Sequence, residues 1–119
     1  FIGPMSPNPE KLLIVDGHPP PAETEPYLDY YVKQNYGSSS VSFTSTFPYE
    51  KQVFTENIGA YWQTGGGMEA QAAAKAPEGH FKGGFGAFFY HTSDSGADKE
   101  IPYGHLRRAI QLQNPAVTK

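Results

Sequence analysis

Hydrophobic and polar positions change rhythm several times along this chain, and each change marks an element. Lys11-Leu12-Leu13-Ile14-Val15-Asp16-Gly17 is a short unbroken apolar run closed by an Asp-Gly turn signal, which predicts a buried strand. From Tyr27 to Tyr36 the apolar residues Leu28, Tyr31, Val32 and Tyr36 recur at helical spacing. With Thr24 as a cap, Pro26 in the first turn and Gly37 as a stop, the pattern predicts a helix. Val41, Phe43 and Phe47 then alternate with Ser42, Thr44 and Thr46, the period of two that marks a half-buried strand ending at Pro48. The run from Gln52 to Gln63 reads the same way, with Phe54, Ile58, Ala60 and Trp62 on one face, and the two runs joined by Pro48-Tyr49-Glu50-Lys51 predict a hairpin.

Gly65-Gly66-Gly67 breaks this rhythm, and Met68 to Ala76 is an Ala-rich stretch stopped by Pro77, a short helix. His80 to Thr92 follows as a strand apolar on both faces, with Phe81, Phe85 and Phe89 on one side and Phe88 and Tyr90 on the other. Finally, Leu106, Ala109 and Ile110 share one helical side in His105 to Gln113 before Asn114-Pro115 ends it. These elements predict an α+β fold: a small antiparallel sheet, two or three short helices and an extended Pro-rich N-terminal arm. The arm is residues 1–26, which hold seven of the 11 prolines, and the body is residues 27–119.

Composition changes the picture because the core is thin. Leu, Ile, Val and Phe supply 23 of 119 residues, whereas the chain has 13 Gly and 11 Pro. Eight Tyr and eight Phe take up the deficit. Rings at Tyr27, Tyr30, Tyr31, Tyr36, Phe81, Phe85, Phe88, Phe89 and Tyr90 exceed what one small body encloses, and some of them are expected to anchor in a partner. With no Cys there is no disulfide and no thiolate-bound metal to staple the fold.

Charge narrows the partners. Twelve acidic against nine basic residues give a formal charge of −3, and no basic stripe is present, so nucleic acid is not expected. The ends are oppositely charged: Glu10, Asp16, Glu23, Glu25 and Asp29 crowd the first thirty residues, and Arg107, Arg108 and Lys119 the last nineteen. No apolar run reaches the length of a membrane span. Phe1 stands where a Met would open a nascent chain, and a Phe at a processed end is similar to the cleavage site of proteins sent to complex algal plastids. The compartment expected on that ground is an organelle, plastid or mitochondrion.

Three constellations are candidates for chemistry. Leu12-Leu13-Ile14-Val15-Asp16-Gly17-His18-Pro19 resembles the opening strand and loop of flavodoxin-like quinone reductases; the resemblance implies a flavin-binding redox module using the Val15 to His18 loop. The Pro run and Ser/Thr alternation that follow instead support a structural strand. The glycines at 65–67 and around Gly83-Gly84-Phe85-Gly86 lack the Lys-Ser/Thr or dinucleotide spacing of phosphate loops. His18, His80, His91 and His105 carry no metal-ligand spacing, and His91 with Asp94 offers only an adjacent acid-base pair.

The reading that follows is a non-catalytic accessory or structural subunit without cofactor or metal. It docks peripherally, through its aromatic anchors and its arm, on a larger assembly, an organellar membrane complex of photosynthetic or respiratory type. The alternative is the stand-alone small-molecule or flavin module at Val15 to His18.

Overall fold

The computed structural model describes residues 2–89 and 103–116. Its sheet has four strands, β1 (Ile14–Gly17), β2 (Tyr30–Gln34), β3 (Gln52–Asn57) and β4 (Gly84–Phe88), in the order β1-β2-β3-β4. All four run parallel, so the fold is a small α/β sheet and the expected antiparallel one is overturned. Ile14, Val15, Asp16 and Gly17 lie opposite Tyr30, Tyr31, Val32 and Lys33 in parallel register. Parallel neighbours require a crossover of about a dozen residues or more, and each pair of consecutive strands is separated by such a stretch. Between β3 and β4 the crossover carries α1 (Ile58–Tyr61) and α2 (Met68–Ala73); after β4 comes α3 (Gly104–Gln113).

Three further expectations fail for identifiable reasons. The helix expected over 27–36 is a 3-10 turn at Ala22–Tyr27 followed by β2. Asp29 explains the switch, because its N–H donates to the Leu13 carbonyl at 2.9 Å while its carboxylate accepts from the Leu13 N–H at 2.7 Å. That double clasp lines Tyr30-Tyr31-Val32 up beside β1, and aromatic and β-branched residues suit a pleated surface. The strand expected over 41–47 is not formed. Its backbone is served by a side chain instead: Gln52 bonds the Thr44 N–H, the Thr44 carbonyl and the Phe47 carbonyl, each at 2.9 Å. The second half of the expected hairpin turns helical after Asn57, whose Oδ1 accepts the Ala60 N–H at 3.0 Å as an N-cap.

The chain forms two compact units. One comprises Phe1–Gln34, Ser42–Val53 and Lys75–Gly84; the other comprises Asn35–Val41, Phe54–Ala74 and Phe85–Lys119. In the first, Tyr31 (1% exposed) packs on Phe47 with ring centroids 5.9 Å apart, and Leu28 is buried. In the second, Ile58, Met68, Ala72 and Ala109 form the core, with Trp62, Phe85 and Leu106 against it. Across that core Glu69 accepts from Arg108 Nε at 2.8 Å and lies 3.1 Å from His105 Nδ1, tying α2 to α3. Among the described residues no helix is long and apolar enough to cross a membrane.

Candidate functional site

In open parallel sheets ligands bind beyond the carboxyl ends of the strands, because the loops there diverge over a rigid support. In the first unit those ends frame a cleft of about 190 Å³ lined by Gly17, His18, Pro19, Tyr31, Lys33 and Gln34. Gly17 sits at φ +117°, a backbone that lets the chain leave β1 sharply. The Tyr31 hydroxyl donates to the Gly17 carbonyl at 3.2 Å and Lys33 Nζ to the Ser42 carbonyl at 2.9 Å. Burial raises the Tyr31 phenol above its usual pKa, and the nearby Asp16 charge adds to this, so the ring stays a neutral donor. The cleft is smaller than the ~300 Å³ at which drug-sized pockets begin. It suits a small polar group rather than a flavin ring. Among the described residues the sequential strand order also lacks the reversal that creates the flavin-binding crevice of flavodoxin-like sheets.

In the second unit the corresponding ends carry rings. Tyr36 stacks on Phe88 with centroids 5.8 Å apart and planes at 17°, and Phe88 meets Phe89 at 5.9 Å. Phe88 is 49% and Phe89 59% exposed. Phe89 holds a left-handed φ of 57°, a conformation that costs a bulky residue about 1–3 kcal/mol. A Cβ at Gly59 would collide with the Phe89 ring and carbonyl, so Gly59 is what admits this ring against α1. Glu56 in the same unit is fully buried. Its carboxylate accepts from the N–H groups of Gly37 (2.7 Å), Asn57 (2.8 Å) and Gly67 (2.8 Å), and from Gln71 Nε2 (3.2 Å). Gln71 Nε2 also reaches the Asn35 and Ser38 carbonyls. A buried carboxylate so saturated by donors is structural support for the loops.

The residues singled out from the sequence are dispersed. His18 lies on the cleft. His80 Nδ1 is 3.0 Å from Glu50 Oε1, and His105 bridges Glu69 and Arg108. Tyr90, His91 and Asp94 lie outside the described residues. Of the expected anchors, Phe81 (79% exposed), Phe88, Phe89 and Tyr27 are open to solvent, whereas Tyr31 is core and Phe85 packs against core. Among the described residues no three His, Asp or Glu side chains are grouped to hold a metal. Glu56 and Gln52 were missed. The signal was there for Glu56, which shares the period-two face of Phe54 and Ile58, where a solvated carboxylate has no place.

No protein-family model and no curated protein matches this chain. Among solved structures, one described as "BT1044SeMet E190Q" is similar, with a TM-score of 0.66 and 24% identity over 89% of this chain and 40% of that one. The likeness is one of fold, and the chain spans 40% of that structure's length.

Proposed function

We propose that this chain works by association: it is a docking module whose parallel sheet and exposed rings are covered by further polypeptide, within a larger body. One observation carries the reading. Parallel sheets occur almost only with both faces covered, yet here Ile14 on β1 is 48% exposed, as is Phe88 on β4 at 49%. Both are edge strands, the positions at which a sheet is extended by pairing. The larger size of the similar fold supports the same reading, because there the equivalent region is less than half of the chain. Rings at Phe81, Phe88 and Phe89 then act as anchors.

Urea unfolding of the chain alone, followed by Trp62 fluorescence and far-UV circular dichroism, tests this. The expected result is a folded chain with a broad transition and a slope below the size-appropriate value. A single steep transition of full slope overturns the reading.

A second reading is favoured by one observation, the coincidence of the Gly17–His18 cleft with strand carboxyl ends. On that reading the loop expected from the sequence holds a small polar ligand, and titration of the chain with such ligands, monitored at His18 by NMR, distinguishes it.

A further inference from the structure

A second cavity of the first unit shares no lining residue with the Gly17–His18 cleft. It measures about 410 Å³ and is formed before the strands begin, by the 3-10 turn at Ala22–Tyr27, by Ser45 to Glu50 leading into β3, and by His80 ahead of β4. Its volume falls within the range of small-molecule sites.

Its chemistry is one-sided. Glu25 and Glu50 both line it, and none of the nine lining residues is Lys or Arg. Glu50 takes His80 Nδ1 (3.0 Å) and the Phe81 N–H (3.4 Å) on Oε1, and its side chain is nearly half-exposed. Its own backbone N–H and the His80 contact hold the carboxyl below its ordinary pKa, so it is ionised at neutral pH. Lys51 partly neutralises Glu25 through Oε1 at 2.6 Å. Glu50 therefore supplies the greater part of the charge.

Aromatic rings complete the wall. Tyr49 is held edge-on by Phe43 (5.2 Å, 88°) and contacts His80 edge-on at 4.9 Å, and Phe47 lies beside it in the lining. A ring fixed in this way presents a π surface to a cation without further loss of side-chain freedom, and a carboxylate beside it adds a charge-assisted hydrogen bond. We propose that this cavity binds a small organic cation with an apolar or aromatic body, an amidinium, guanidinium or primary ammonium, its charge on Glu50 and its body against Tyr49.

NMR titration of the full chain with benzamidine, and with benzamide as its uncharged isostere, tests the proposal. Saturable shifts at His80 and Tyr49 are expected with benzamidine and not with benzamide. Glu50→Gln is expected to weaken benzamidine binding about tenfold, and Tyr49→Leu, which keeps the carboxylate, several-fold. Glu50 is nearly half-exposed, so its substitution leaves the fold in place, which the unshifted resonances of the second unit report. Equal responses to benzamide, insensitivity to both substitutions, or no saturation by about 10 mM overturn the proposal. This site and the docking reading fail separately, since one is read from local shifts and the other from the unfolding slope.

Discussion

The side-chain amide of Gln52 hydrogen-bonds both backbone groups of Thr44, accepting from its N–H and donating to its carbonyl, each at 2.9 Å. A side chain here performs the work of a neighbouring strand. Gln52 is 1% exposed, so its removal leaves those groups without their side-chain partner. Gln52→Leu is therefore expected to destabilise the chain by about 3 kcal/mol, the cost of several orphaned backbone groups. Urea unfolding measures it, and a loss below about 1 kcal/mol shows that water takes the amide's place.

Glu56 makes the same argument in the second unit with a charge. Because three backbone N–H groups converge on its oxygens, replacing one oxygen with an NH2 group turns acceptor into donor and sets N–H against N–H. Glu56→Gln is expected to cost more than about 3 kcal/mol, and more than Glu69→Gln on the same scale. Equal losses at the two positions count against the hub.

The Glu69 clasp of α2 on α3 gives a pH dependence. The Arg108 hydrogen bond, followed by that of His105, holds the Glu69 carboxyl below its ordinary value of 4.5. A depressed folded-state pKa contributes stability that is present above 4.5 and is lost as pH falls through the folded value. Since Glu69 is 40% exposed, solvent screening keeps the contribution small, under about 1 kcal/mol. Arg108→Ala is expected to flatten the fall of the unfolding midpoint between about pH 5 and pH 3, and an unchanged profile would show that the pair is idle.

Burial lowers the Lys82 pKa to about 8. More of its amine is unprotonated near neutrality, and the unprotonated form is the nucleophile. Limiting acetic anhydride at about pH 7.5 is expected to label Lys82 ahead of the exposed Lys11 and Lys75, with peptide mass spectrometry as the readout. Labelling that follows exposure alone contradicts this.

The carboxyl-end rings yield a local test. Gly59→Ala places a Cβ against the Phe89 ring and carbonyl, so it is expected to displace Phe89 and to destabilise the second unit by about 1–3 kcal/mol. Phe89→Gly, which suits the left-handed backbone, removes the strain along with the ring. If the rings are docking anchors, this variant loses association while keeping its stability. Sedimentation with the partner body checks the first, and urea unfolding the second.

By itself the sequence determined those elements whose signals are local. The apolar run at Leu12–Val15 closed by Asp16-Gly17 contains β1, although none of its residues is buried as that run predicts, the Ala-rich stretch from Met68 holds α2, and the periodic Leu106, Ala109 and Ile110 lie on α3. Propensity, capping and period act within a few residues, so they can be read without a fold. What the tertiary structure decided was direction and exchange of partners. Tyr27–Tyr36 carries a helical period and a β composition at once, and only the Asp29–Leu13 clasp selects the strand. Val41–Phe47 has a strand's alternation but loses its ladder to Gln52, a residue whose reach across eight positions no pattern announces. Parallel and antiparallel sheets share one side-chain period, so the alternation that marks strands says nothing of their direction; only the chain's return path, set by packing over crossovers, settles it.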